Sequence, residues 1–283
     1  MFESNPFAVL SAYIPVAVMQ GYIVVMVLLV IVGTIMDMKH KRSAEYFFLN
    51  AEKAKRNAKR KVGFGEKIVI AISVLLNEVA TSGEFRNVRR RLSHLLTMWG
   101  FILFVVTTVI LIFGYPTPAT PAPTIVPQLW HIGALMLAVG GYWFWFFIRV
   151  DVSAEGLPWY RLERADLFIL SLLATSTFAL LWSFTQYRSI AGWSTAFLIL
   201  FAISGVVLFG GVYWSKFAHM FFKPAAAFQK RVTRADGSRE DLPLDYDPSD
   251  PEVQRKYPDI AKYMGKNPPN MGPGIRRERP SHY

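Results

Sequence analysis

Cysteine is absent from the 283 residues of this chain. Its absence removes disulfides, cysteine-ligated zinc and iron–sulfur clusters held by this chain. Charge is missing in a pattern. Five apolar runs, residues 14–36, 92–114, 127–148, 165–184 and 192–214, carry no acid, lysine or arginine in their middles. Proton pumps and ion-coupled transporters need ionisable groups inside the membrane, so this scarcity counts against a small transporter. The polar segments lack a glycine-rich phosphate loop, an HExxH and any nucleophile–base arrangement, and the Gly63–Gly65 pair is too weak a cue to count. Nothing in the chain points to catalysis of its own.

Each of the five runs is near the roughly 20 residues that a helix needs to cross a bilayer core. The expected fold is an all-α integral membrane bundle of five transmembrane helices. The first run follows a segment, Met1–Leu10, with no positive charge, and it is too long for the apolar core of a signal peptide, so it reads as a span. Of the 31 Lys+Arg, ten lie in 39–67, four in 86–91, and nearly all others in 149–164 or after 214; only Arg188 falls between spans on the opposite side. Positive charge flanking spans stays cytoplasmic. The N-terminus is therefore expected outside and the C-terminus in the cytoplasm, in a multi-pass protein of the cytoplasmic (inner) membrane. The pI near 9.8 then follows from topology. It suits anchoring to anionic lipid of the bilayer rather than binding of nucleic acid.

Between the spans, 43–60 is rich in Ala, Glu, Lys and Arg and predicts a charged helix at the cytoplasmic surface. The apolar run 68–76, inside 66–84, is too short to span and predicts an interfacial or re-entrant helix. Asn77 and Glu78 end it. They either face water and headgroups or make a polar contact to a quinone headgroup. The loop 116–127 has five prolines and no charge and should be stiff and extended. The run Tyr142-Trp143-Phe144-Trp145-Phe146-Phe147 beside Arg149 reads as an aromatic belt at the inner face. The fifth span is expected to continue as helix through Lys223 and Pro224. Residues 1–224 form the expected membrane domain, and 225–283 an extended cytoplasmic tail too polar and proline-rich to fold alone. Its Tyr246, Tyr257 and Tyr263 suit an arm lying on a protein partner.

Of the five histidines, His40 and His282 sit in polar stretches and His131 near the outer face. His94 follows Arg91 by three residues, and His219 follows Trp214 by five. At about 1.5 Å per residue the two lie at similar depths near the inner face on antiparallel helices. Facing imidazoles at equal depth can ligate one bis-histidine haem, with Arg90 and Arg91 beside its propionates. Alternatively, both merely cap helices at the interface.

The stretch Phe85-Arg86-Asn87-Val88-Arg89-Arg90-Arg91-Leu92-Ser93-His94-Leu95-Leu96-Thr97-Met98-Trp99-Gly100-Phe101 resembles the second span of the five-helix nitrate reductase gamma family, especially its quinone-linked members in sulfur metabolism. The run Ser215-Lys216-Phe217-Ala218-His219-Met220-Phe221-Phe222-Lys223-Pro224 is similar to that family's ending of the fifth span, and Arg164-Ala165-Asp166-Leu167-Phe168 to its start of the fourth. The similarity covers about residues 10–225. It implies that His94 and His219 hold an inner b-type haem. The positions matching the outer haem's ligands are Phe104 and Phe201, which cannot ligate, so a complete transmembrane electron path is in doubt. The resemblance also implies quinone as a redox partner. With no cysteine here, flavin and iron–sulfur centres would belong to soluble reductase subunits docked on this chain.

Overall fold

The computed structural model describes residues 1–83, 85, 87–151, 156–215, 217, 219–240, 242 and 247–264. All regular structure among them is helical. Short α1 (Pro6–Leu10) precedes α2 (Val16–Lys41), then come α3 (Ser43–Arg56) and α4 (Phe64–Val74), which runs into a π-helical turn, Leu75–Ala80. The remaining long helices are α5 (Val88–Gly114), α6 (Ile125–Trp143, with a π-helical turn at Phe144–Ile148), α7 (Leu167–Tyr187), α8 (Ala191–Gly210) and α9 (His219–Ala235). Two short ones, α10 (Pro251–Lys256) and α11 (Pro258–Met264), follow. Five helical stretches are long and apolar enough to cross a membrane: Val16–Lys41, Val88–Gly114, Ile125–Ile148, Arg164–Tyr187 and Ala191–Trp214. They coincide with the five apolar runs of the sequence.

The chain divides into two compact units. The first comprises Met1–Ala44 and Val88–Lys223 and contains all five spans. Within it α5 packs mainly on α6, and α7 on α8. Its core is aromatic: Phe7, Phe104, Trp130, Trp182 and Phe217 are buried together with Leu111, Leu137 and Leu172. Small residues set how closely the helices approach. A Cβ at Gly133 would lie 2.7 Å from the Phe104 nitrogen, and one at Gly140 2.8 Å from the Ser93 carbonyl. Ser93 also donates from Oγ to the Gly140 carbonyl at 2.8 Å. Close backbone approach of this kind is how membrane helices gain packing, because lipid supplies no hydrophobic drive between them.

The fifth span ends differently from expectation. Its α-helix stops at Gly210, tightens into a 3₁₀ turn over Gly211–Trp214, and reaches an extended Ser215 at φ −119°. The chain then restarts as α9. Two successive glycines remove the side chains that would hold the last turn, and the Ser215 Oγ accepts from the Phe217 nitrogen at 3.2 Å, a local alternative to the helical ladder.

The second unit joins Glu45–Asn87 to the chain after Pro224. The Asp236 carbonyl accepts from the backbone nitrogens of Lys59 and Arg60 at 2.9 and 3.1 Å, and Arg60 Nε donates to the Ala235 carbonyl at 2.6 Å. Gln229 reaches the Phe47 carbonyl at 3.2 Å. The first stretch past Pro224 thus folds on the 45–87 connection instead of alone. These two stretches follow one and five crossings, so both emerge on the same side of a membrane, here called the inner side. The Arg60–Glu66 pair, at 2.5 Å, holds the Glu66 carboxyl below its ordinary range.

Candidate functional site

The second span and the restart after the fifth meet through aromatic rings. His94 lies in the second turn of α5 and is half-buried. Phe101 is seven residues on, two turns along the same face. Its ring centroid is 6.2 Å from that of Phe217, two residues before His219. Phe217 is buried and also touches Phe168, Phe209 and Phe221, with centroids 5.3, 6.1 and 6.2 Å away. These rings bring α5, α7, α8 and the start of α9 to one apolar wall at the inner end of the bundle. His219 is the first residue of α9; its side chain lies outside what the structure describes. Arg90 and Arg91, both half-buried, occupy the first turn of α5, on the polar side of His94. Among the described residues no group of three or more His, Asp or Glu converges on a point. What the described residues place at this end is His94, an apolar wall of rings, and Arg90 and Arg91 one turn before the histidine.

The outer half is built otherwise. Phe104 and Phe201 have ring centroids 6.2 Å apart, edge to face. Trp130 lies 5.2 Å from Phe104 and Trp182 stacks 5.8 Å from Phe201. Phe7 closes on both tryptophans at 5.6 and 5.3 Å. Aromatic side chains fill this volume. His131 sits beside it, fully buried, with Nδ1 on the Pro127 carbonyl and Nε2 on the Ser183 hydroxyl, both at 2.7 Å. Both its ring nitrogens are engaged.

Asn77 and Glu78 belong to the second unit, in the π-helical turn after α4. The Glu78 carboxylate accepts from Arg231 Nε at 2.6 Å, and Arg231 also reaches Ser73 Oγ at 3.2 Å. Asn77 donates to Ser73 Oγ at 3.1 Å, and its carbonyl accepts from the Gly83 nitrogen at 2.8 Å. Glu78 is therefore committed to an ion pair that a headgroup would have to displace, whereas Asn77 is exposed. Tyr257 is 40% exposed, between α10 and α11, with Lys256 Nζ 5.5 Å from its ring. The backbone of Tyr263 lies in α11, its side chain outside the described residues, and Tyr246 lies outside them altogether.

Sequence reasoning missed an ion pair at the inner ends of α6 and α7. Arg149, fully buried, binds the Asp166 carboxylate through Nη2 at 2.5 Å and Nε at 3.3 Å. Its remaining donors bind the carbonyls of Leu157, Pro158 and Arg161 at 3.2, 2.6 and 2.6 Å. Trp145 lies 4.3 Å below the guanidinium, so this member of the aromatic belt turns inward as a cation–π partner while Phe147 stays 70% exposed. The available signal was a cation ending the third apolar run and an acid opening the fourth. No family model, curated protein or solved structure matches this chain.

Proposed function

We propose that this chain is the membrane anchor of a soluble cytoplasmic redox enzyme, with adenylylsulfate reductase as the partner, and that it links that enzyme to the quinone pool through one b-type haem held by His94 and His219. The observation that supports this reading most is the contact of Phe101, mid-way along α5, with Phe217, just before α9, at 6.2 Å, His94 lying two turns before the one and His219 two residues after the other. A haem bound there would supply a one-electron carrier between a two-electron quinol and the partner's centres. The residues of the chain supply what surrounds it: Phe168, Phe209 and Phe217 exclude water on the membrane side, and Arg90 and Arg91 offset propionate charge at the polar rim. No nucleic acid enters this reading.

Isolated with haem available, the protein should give a low-spin six-coordinate spectrum. His94→Ala and His219→Ala should each abolish it, since one imidazole cannot hold six-coordination. His131→Ala should leave it intact, because that ring is spent on Pro127 and Ser183. A wild-type preparation free of haem after reconstitution would replace this reading with that of a cofactor-free anchor.

The distal tail, including Tyr257 and Tyr263, is proposed to carry the docking contact. Such segments order on binding, and the ordering entropy lowers net affinity. Truncation after Leu242 retains the Asp236 and Glu240 contacts to 57–60. The shortened chain should stay in the membrane and lose the reductase to the soluble fraction. Retention of the partner at full stoichiometry in moderate salt would move the docking surface to another part of the chain.

A further inference from the structure

Helix α4 and its π-helical extension have one mixed face, with Glu66, Ser73 and Glu78 among Ile70 and Val74, and one apolar face. One face packs within the second unit: Val74 is 1% exposed, Ser73 and Glu78 bind Arg231, and Ile70 is half-buried. The other bears Phe64, Ile68, Val69, Ile72, Leu75 and Leu76, exposed by 44% to 82%. At 100° per residue these six fall within roughly 140° of arc, a continuous ridge rather than scattered exposed residues. A contiguous exposed apolar ridge of this extent marks an interaction surface with an occupant, lipid or protein.

We infer that the occupant is the acyl-chain and headgroup boundary of an anionic lipid leaflet, in which α4 lies parallel to the membrane plane. Two independent features favour lipid over protein. The first is connectivity. The segment 42–87 joins two consecutive spans, so both its ends are fixed at the same membrane face, and the ridge cannot move far from that face. The second is charge. Exposed Lys59, Lys61 and Lys67 flank the ridge, with Lys53, Lys55 and Arg56 ending α3 just upstream. Apolar ridge plus cationic flank is the composition of an in-plane membrane helix, and each cation near an anionic surface adds attraction that salt weakens. The Glu78–Arg231 pair then ties the stretch after the fifth span to a helix seated on lipid. The second unit is thereby fixed at the membrane surface independently of any cofactor.

The natural absence of cysteine makes the test direct. Single replacements Val69→Cys, Ile72→Cys and Leu76→Cys, with Lys67→Cys on the polar flank, can each carry a nitroxide in the full-length protein. The protein is placed in nanodiscs of phosphatidylethanolamine and phosphatidylglycerol. Relaxation by oxygen, which partitions into acyl chains, is compared with relaxation by a water-soluble nickel complex. The ridge labels should respond strongly to oxygen and weakly to nickel, and the Lys67 label should respond more to nickel. Ridge labels open to nickel would place the face in water and overturn the inference. Labels protected from both agents would mean a protein surface, a second copy included, covers the ridge, and would overturn it equally.

Discussion

Arg149→Leu should destabilise the membrane unit by about 3–5 kcal/mol, the range for breaking a buried ion pair while leaving one charge behind. The cost arises in two places. Asp166, 5% exposed, keeps a carboxylate whose remaining partner is the Glu163 backbone nitrogen at 2.8 Å. The carbonyls of Leu157, Pro158 and Arg161 also lose the donors that fold the 157–161 stretch back onto the end of α6. Asp166→Asn should cost less, because the guanidinium retains its three carbonyls and the amide oxygen still accepts. Arg149→Lys should stand close to leucine, since an ammonium cannot present a fork to a carboxylate and three carbonyls at once. The double replacement Arg149→Leu with Asp166→Leu removes the orphaned charge but not the orphaned carbonyls, so it should recover only part of the loss. Thermal unfolding in detergent, followed by the monodisperse fraction, ranks the four variants. Full recovery in the double variant would show that the carbonyl contacts contribute nothing.

The span positions were legible because a 20-residue apolar run leaves a membrane helix few alternatives. Runs at 92–114 and 192–214 became Val88–Gly114 and Ala191–Trp214. The charged helix expected in 43–60 formed as Ser43–Arg56, and the short apolar segment of 66–84 as Phe64–Val74 with its π turn. What composition could not convey was pairing. Arg149 and Asp166 each look like ordinary ends of spans; only the folded chain joins them across 17 residues. The break at Ser215 was equally hidden, since the end of an apolar run does not say whether the helix continues past it, while backbone geometry is decided by Gly210, Gly211 and one serine hydroxyl. For the candidate site, the sequence placed His94 near the start of a long helix and His219 just past the fifth apolar run, and the structure has them in the second turn of α5 and at the first residue of α9. The wall formed by Phe101, Phe168, Phe209 and Phe217 was not legible, because it draws one ring each from four separate stretches. Glu78 shows the opposite limit: its place at the end of an apolar run was plain, but its partner, Arg231, lies 153 residues away.

The glycine seam between α5 and α6 should be the least tolerant surface in the bundle. A Cβ at Gly100 would stand 2.8 Å from the Leu137 nitrogen, at Gly133 2.7 Å from the Phe104 nitrogen, and at Gly140 2.8 Å from the Ser93 carbonyl. All three neighbours are backbone, so no rotamer change relieves them and the two helices must separate. Overpacking costs typically about 1–3 kcal/mol and sometimes more. With two backbones pushed apart, Gly133→Leu should reach or exceed the top of that range. Separation also breaks the Ser93–Gly140 hydrogen bond and shifts α5, which carries His94 and Phe101. Gly133→Leu should therefore lower the unfolding temperature and displace α5 from α6. Even Gly133→Ala and Gly140→Ala should destabilise. Gly21 in α2 is the contrast: nothing lies within 4 Å of its Cβ position, so Gly21→Ala should be neutral or gain up to about 1 kcal/mol from helix propensity. Unfolding temperatures in one detergent decide the matter. If the alanine variants at 133 and 140 are as stable as the one at 21, the seam is looser than these distances, and α5 is held in place by its aromatic contacts instead.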